Sequence, residues 1–254
     1  MKKFNLYSIC SVLLLVVLLK QHPSKAQQPY VNDKQFNCGQ DLNITNGFKC
    51  NGAETSCQSY LTFRSTTSYY SAASIGSLLS VDASVIAEIN NITKFQPIPT
   101  NPQIIIPVNC SCSGQYYQQN SYYTVQSASE TYLIIANNTY QGLTTCQAMM
   151  RSNTDKTLRM GVNVNVPLRC ACPTLSQTAS GFKYLLTYVV IPLENISEIA
   201  DRFGADRQSV LDANEMSEDS LSAFTTVLIP LKSSPIVSVF SSNYSRQIQP
   251  PIPL

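Results

Sequence analysis

Two Cys-x-Cys pairs constrain this chain most. Cys110-Ser111-Cys112 and Cys170-Ala171-Cys172 lie 60 residues apart, and each follows an apolar strand that carries a proline. The strands read Ile104-Ile105-Ile106-Pro107-Val108 and Val162-Asn163-Val164-Asn165-Val166-Pro167-Leu168. A third copy, Val227-Leu228-Ile229-Pro230-Leu231, lacks the cysteines and comes 63 residues after the second. This period predicts three copies of one small unit, with cysteines at the joints between copies. Cysteines at i and i+2 on extended backbone cannot bond each other without strain, so each pair must reach two separate partners.

Each copy opens on a short strand containing threonine: Tyr60-Leu61-Thr62-Phe63, Tyr123-Thr124-Val125 and Leu186-Thr187-Tyr188. From that threonine to the strand proline is 45, 43 and 43 residues. Between them, apolar residues recur at helical spacing. The first copy has Ile75, Leu78 and Leu79, then Val85, Ile86 and Ile89. The second has Leu133, Ile134, Ile135 and Ala136, then Cys146, Met149 and Met150. The third has Ile196, Ile199, Ala200 and Phe203, then Val210, Leu211 and Ala213.

Thr144 with Gln147, and Asn195 with Glu198, fit capping boxes at helix starts. Each second helix closes at an asparagine, Asn90 or Asn91, Asn153 and Asn214, a residue that tolerates left-handed backbone. The expected unit is β-α-α-β, and the fold class α+β. The end strands of each unit pair antiparallel, with both helices on one face. Residues 113–121 and 173–183 read as short polar linkers. Units this small bury little apolar surface and are marginal alone. Disulfides are therefore expected to clamp all three into one compact body.

Residues 1–26 read as a secretory signal: Lys2 and Lys3, an apolar core over 9–19, then small Ser24 and Ala26 before a cut. The core is shorter than the roughly 18 to 20 residues of a membrane span. Its removal takes four lysines and moves the net charge from +2 to −2, which argues against a nucleic-acid partner. It also takes His22, the only histidine. That argues against Ser-His and Cys-His catalysis and against His-ligated metal, so no metal or cofactor is expected. Cys10 leaves too, and the remaining eight cysteines, an even count in a secreted chain, read as disulfides. Sequons at Asn43, Asn91, Asn137, Asn195 and Asn243 predict a glycosylated surface. The sequon at Asn109 is set aside because its middle residue, Cys110, is expected in a bridge. Residues 233–254, with Pro235, Pro250, Pro251 and Pro253, show no periodicity and read as a disordered stalk.

The sequence resembles the ectodomains of plant LysM receptor-like kinases, in particular the chitin-receptor subgroup with an inactive kinase. The resemblance rests on the three units joined by Cys-x-Cys pairs after a signal peptide. It rests also on Ser56-Cys57-Gln58-Ser59-Tyr60-Leu61-Thr62-Phe63-Arg64 and Thr145-Cys146-Gln147-Ala148-Met149-Met150. Val166-Pro167-Leu168-Arg169-Cys170-Ala171-Cys172-Pro173 and Gly181-Phe182-Lys183-Tyr184-Leu185-Leu186-Thr187-Tyr188 complete it. The chain then divides into a signal peptide (1–26), an N-terminal cysteine-containing segment (27–58), LysM 1 (59–109), LysM 2 (122–169), LysM 3 (184–232) and the stalk. By position the resemblance implies the bridges Cys50–Cys112, Cys57–Cys172 and Cys110–Cys170. Cys38 and Cys146 lie outside these six and are expected to form a fourth.

The resemblance also implies a shallow groove for N-acetylglucosamine oligomers, between the loop after each unit's first strand and the loop before its second. There N-acetyl groups are hydrogen-bonded and their methyls meet apolar surface. In LysM 2 these loops supply Gln126, Ser127, Ala128, Ser129, Glu130 and Thr131, then Asn153, Thr154, Asp155 and Lys156, mostly small polar residues suited to close sugar approach. LysM 1 offers Tyr69 and Tyr70, which either stack on sugar or pack on the next unit. The LysM 3 loop, Val190-Ile191-Pro192-Leu193-Glu194, reads as an interface.

The expected activity is perception of chitin oligosaccharides in plant immunity, with a kinase-active LysM co-receptor, because no phosphoryl-transfer motif is present. The alternatives are a lipo-chitooligosaccharide receptor ectodomain and a soluble secreted chitin-binding protein. No span or lipid-anchor tail follows LysM 3 in these residues. The expected location is thus the outer face of the plasma membrane for a receptor truncated before its transmembrane helix, or the extracellular space if the chain stops at Leu254. A glycoside hydrolase needs two carboxylates facing across a cleft. Glu130, Asp155, Glu194 and Glu215 lie in or near loops, but the repeats occupy nearly all of the mature chain, so no enzyme is expected.

Overall fold

In the computed structural model, which describes residues 28–39, 43–155, 157–217 and 221–235, the period becomes three β-α-α-β units. The signal segment, Lys156, Asn243 and stalk residues 236–254 lie outside the described residues. A short strand, β1 (Phe48–Lys49), comes from the N-terminal segment. Unit 1 comprises β2 (Ser56–Arg64), α1 (Ala72–Leu79), α2 (Ala83–Ile89) and β3 (Gln103–Ser113). Unit 2 comprises β4 (Tyr116–Thr124), α3 (Tyr132–Ile134) running into a π-helical turn (Ile135–Thr139), α4 (Cys146–Ser152) and β5 (Asn163–Arg169). After α5 (Leu175–Ala179), unit 3 comprises β6 (Tyr184–Val189), α6 (Ile196–Phe203), α7 (Arg207–Ala213) and β7 (Thr226–Leu231).

Within every unit the end strands pair antiparallel, with Tyr60 opposite Pro107, Asn120 opposite Pro167 and Leu185 opposite Pro230. β3 pairs with β4 only over 111–113, and among the described residues β5 and β7 have no further strand neighbour. Each proline therefore sits on an open edge, where its missing N–H removes no ladder bond.

The units are not strung on linkers. β3 turns at Gly114 (φ 64) and Gln115 straight into β4, so 113–121 is a hairpin and not a linker. Its polar composition hides the buried positions Tyr117 and Ser121. The second expected linker contains α5, opened by a Thr174–Gln177 capping box. Units 1 and 3 join by parallel pairing of β2 with β6, Tyr60 to Leu186 and Leu61 to Thr187. Side chains lengthen that seam. Ser59 Oγ donates to Leu185 O at 2.8 Å, Thr62 Oγ1 accepts from Val189 N at 3.0 Å, and Gln103 Nε2 donates to Val189 O at 3.2 Å. One seven-stranded sheet results, ordered β1-β4-β3-β2-β6-β7, with β5 also on β4. Units 1 and 2 share a core that includes Phe63, Ile106, Ile135 and Val166. Unit 3 builds a second core on Leu186, Ile199 and Val227, and takes Tyr60 and Ile105 from the opposite face of β2–β3.

Four disulfides close the joints: Cys38–Cys146, Cys50–Cys112, Cys57–Cys172 and Cys110–Cys170. Cys57 and Cys110 are partners in the β2–β3 ladder, so residues 170–172 are fastened across both strands. The closed loops span 60 to 115 residues. In the chain-entropy account each stabilises by about 4–5 kcal/mol. The N-terminal segment is strapped on as well. Tyr30 bonds Thr225 Oγ1 at 2.7 Å and Gln35 Nε2 donates to Phe224 O at 2.8 Å. Arg169, fully buried, sits over the Phe48 ring at 4.4 Å and donates to Thr226 Oγ1 at 3.0 Å. Burial lowers its guanidinium to about 10.

Each second helix does end on an asparagine, but handedness is not the reason. Asn90, Asn153 and Asn214 have φ −96, −129 and −111, and it is Asn91 that is left-handed, at φ 50. The Asn90 amide donates to Ile86 O (2.8 Å) and Ile105 O (2.7 Å), and its Oδ1 accepts from Ile105 N (2.9 Å). Asn153 makes the same three bonds to Met149 O, Asn165 O and Asn165 N. Asn214 makes them to Val210 O, Leu228 O and Leu228 N. One side chain thus satisfies a helix-end carbonyl together with the N–H and C=O of an edge-strand residue.

The cap of α4 is Thr145 and not Thr144. Thr145 Oγ1 accepts from Ala148 N (3.1 Å) and donates to Thr45 O (2.6 Å), because the N-terminal segment passes there. Asn195 caps α6 by accepting from Glu198 N at 2.9 Å, and Glu198 makes no return bond among the described residues.

Candidate functional site

The first loop of unit 2 leaves the sheet at Val125 and enters α3 at Thr131. Gln126, Ser127, Ala128 and Ser129 are exposed, Glu130 is half-buried and Thr131 is exposed. Glu130 shapes the loop from within. Its Oε1 accepts from Tyr123 Oη at 2.6 Å, and its Oε2 accepts from the backbone N–H groups of Gln126 (2.7 Å) and Ser127 (3.2 Å). The Ser127 and Ser129 hydroxyls share a hydrogen bond of 2.9 Å, and Thr131 Oγ1 caps α3 by accepting from Ile134 N. Burial, then the adjacent Glu130 carboxylate, pushes the Tyr123 phenol well above its ordinary range, so it stays a donor.

The opposite wall carries exposed Thr154 and Asp155. Buried Tyr132 reaches across from α3, and its hydroxyl donates to Asp155 O at 2.7 Å, which ties the two walls together. The base is closed by backbone bonds, Val125 N to Val162 O (2.9 Å) and Gly161 N to Val125 O (2.8 Å). Of the expected residues, Gln126, Ser127, Ala128, Ser129, Thr131, Thr154 and Asp155 face solvent, while Glu130 and Asn153 are braces inside the walls. Sequence reading did not single out Tyr132. It treated Glu130 as a contact, although the Tyr123/Glu130 and Tyr188/Glu194 spacings, near equal in two repeats, signal a shared brace.

The other units differ. In unit 3, Glu194 accepts from Tyr188 Oη (2.7 Å) and Ile191 N (3.0 Å), and it pairs with Arg202 at 2.7 Å. In unit 1, half-buried Tyr69 packs edge-on against Phe63, with centroids 6.2 Å apart, and Tyr70 is 48% exposed. The start of that loop is pinned to unit 2 by reciprocal bonds between the Arg64 backbone and the Gln141 amide, 2.9 and 2.7 Å. Of the expected glycan acceptors, Asn43 and Asn91 are exposed, Asn137 is half-buried in the π-helical turn and Asn195 is the α6 cap.

Three domain models match, with limits that coincide with the strand boundaries: the NFP/LYK LysM1 domain over 56–113, the LYK3/4/5 LysM2 domain over 116–169 and the LYK4/5 LysM3 domain over 184–231. Protein LYK5 of Arabidopsis thaliana is 47% identical over 247 residues, 93% of this chain and 37% of LYK5. The chain belongs to the LysM receptor ectodomain family. Its three units are LysM domains in the order LysM1, LysM2 and LysM3, and it spans little more than a third of LYK5's length. LysM domain-containing GPI-anchored protein LYP4 of Oryza sativa subsp. japonica is 26% identical over 172 residues, 63% of this chain and 42% of that protein. The crystal structure of the LYK3 ectodomain superposes with a TM-score of 0.60 at 20% identity, covering 68% of this chain and 89% of that one, which speaks to the fold.

Proposed function

We propose that this LysM ectodomain recognises N-acetylglucosamine oligomers at the cell surface, in the unit 2 groove, and signals with a kinase-active LysM co-receptor in plant immune perception. The observation that carries this reading is the pair of unit 2 walls: exposed hydroxyls, an amide and the Ala128 methyl on a loop held by Glu130 and tied to its partner by Tyr132. A pre-set loop loses little entropy on binding a flexible sugar. Location outside the cell is supported by four disulfides, which persist in oxidising compartments. Binding without cleavage is supported by Glu130 and Glu194, two carboxylates that a hydrolase would enlist and that here hold their own loops.

A second reading, a lipo-chitooligosaccharide, is favoured by Met160, 69% exposed on the segment that continues the second wall and available to an acyl chain. Calorimetry with N-acetylglucosamine oligomers of increasing length tests the proposal. Saturable binding is expected, lost at least tenfold in Ala128→Trp and kept in Tyr70→Ala. The reverse pattern would move the site to unit 1, cleavage of the oligomers would make the protein an enzyme, and much tighter binding of acylated oligomers would select the second reading.

A further inference from the structure

On the side of β2–β3 that carries Tyr60 and Ile105 into the unit 3 core, the sheet beyond that core runs on as an open stretch toward the β3–β4 turn. In the β2–β3 ladder Gln58 lies opposite Asn109, and β3 passes to β4 where Ser111 lies opposite Gln118. Residues paired directly across strands share a face, as do alternate residues along a strand. Gln58, Asn109 and Ser111 on β2–β3, and Gln118, Asn120 and Tyr122 on β4, therefore form one strip joined at the Ser111–Gln118 pair, on the side away from α1 and α2 and beyond the unit 3 core. Gln118 is half-buried and the other five are exposed, Tyr122 by 66%. All six are neutral donors or acceptors, and Tyr122 adds an aromatic plane at one end.

Asn109-Cys110-Ser111 is also a glycosylation sequon. Asn109 and Ser111 point to this strip, while Cys110, between them, points the opposite way and is fully buried in its bridge to Cys170. The bridge therefore leaves the acceptor clear. The Asn109 amide makes no side-chain hydrogen bond among the described residues, in contrast to Asn195, whose Oδ1 holds the start of α6.

We propose that Asn109 is N-glycosylated and that its glycan lies along this strip, with a sugar face on Tyr122. The modification draws on an oligosaccharide carried by a lipid diphosphate, supplied in the secretory pathway. The bond from Asn109 Nδ2 to the anomeric carbon forms, the bond from that carbon to the diphosphate oxygen breaks, and one amide proton is lost as the lipid diphosphate leaves. The transfer precedes closure of the Cys110 bridge, on the extended nascent chain. Once folded, the strip suits a neutral sugar: amides and hydroxyls match its hydroxyls, the tyrosine ring covers its apolar face, and no ionic group has to be desolvated. The glycan then shields an open stretch of sheet without using residues 126–131 or 153–155.

The test uses the chain secreted from plant cells. Peptide mapping after enzymatic glycan release in heavy-oxygen water is expected to show Asn109 converted to labelled aspartate. Asn109→Gln and Ser111→Ala should each lose one glycan mass. Hydroxyl-radical footprinting should show Tyr122 oxidised several-fold faster in both variants than in the parent, with Tyr70 unchanged. If either variant is not secreted, release of the glycan from the folded parent supplies the same comparison. An unmodified Asn109 overturns the proposal. So does a modified Asn109 whose removal leaves Tyr122 oxidation unchanged.

Discussion

In unit 2 the Glu130 carboxylate holds Tyr123 and two backbone amides, and among the described residues it has no ion pair. In unit 3 Glu194 holds Tyr188 and one backbone amide, but Arg202 closes on it at 2.7 Å and also donates to the Tyr188 hydroxyl. Phe203 packs edge-on against Tyr188 at 5.6 Å. The two repeats thus share a tyrosine–glutamate brace and differ in what surrounds it. Unit 3 fills the space behind its loop with a cation and a ring, whereas unit 2 leaves a polar loop that is fixed at its root and open at its surface. A repeated scaffold can therefore give one copy an ion-paired loop root and another a candidate binding surface by changing a few side chains around one shared geometry of hydrogen bonds.

The largest effect should come from the ion-paired copy. Arg202 and Glu194 are 16% and 6% exposed, so Arg202→Met strands a buried carboxylate and should destabilise by about 3 kcal/mol in denaturant unfolding. A loss below 1 kcal/mol would mean that the pair is solvated and the contrast between the loops is overstated.

The asparagine brace common to all units gives the next effect. Asn90→Ala and Asn214→Ala, both at buried positions, should each cost about 2–3 kcal/mol, and Asn153→Ala, half-buried, about 1 kcal/mol. Equal losses at the three sites would show that water does not relieve the unit 2 brace.

Glu130→Ala should lower global stability by only about 1 kcal/mol, but should speed amide exchange at Gln126 and Ser127 and weaken oligomer binding by more than it weakens the fold. Unchanged binding with a loosened loop would separate the brace from recognition.

The smallest effect concerns the second-helix caps. Asp82 and Asp206 cap α2 and α7, while unit 2 uses Thr145. Bonds from the Ser84 backbone and hydroxyl hold the Asp82 carboxyl below its ordinary range, and those from Ser209 do the same for Asp206. A carboxylate depressed in the folded state stabilises above its unfolded value, and that contribution is lost as pH falls through the folded one. Acidification below the ordinary carboxylate range should therefore fray α2 and α7 while α4 holds, read from amide chemical shifts.

Much of this was legible in the chain. The apolar spacing within each repeat reports which side of a helix or strand is buried, and that is a local property. The threonine-to-proline distance marks where the end strands lie. The loops of the candidate groove could be placed by the same count. What went astray depended on neighbours distant in sequence. Residues 113–121 look polar because their buried positions, Tyr116, Tyr117 and Ser121, are interspersed with half-buried and exposed amides. Thr145 displaced Thr144 as a cap because Thr45, 100 residues away, accepts its hydroxyl. Asn90, Asn153 and Asn214 were found at the right places for the wrong reason, since their partners are strand residues 12 to 15 positions on.

The Cys-x-Cys period and the strings around it determined three small α+β units, cross-links at their joints and the family to which the chain belongs, because repeat length and cysteine spacing are written directly in the order of residues. The tertiary structure decided how the units sit. β3 runs into β4 without a linker, β2 lies parallel to β6, and alternate residues of Asn109-Cys110-Ser111 face opposite sides of one sheet. Strand register fixes which side chains share a surface, and register between distant strands is set by packing and hydrogen bonds that no local pattern encodes.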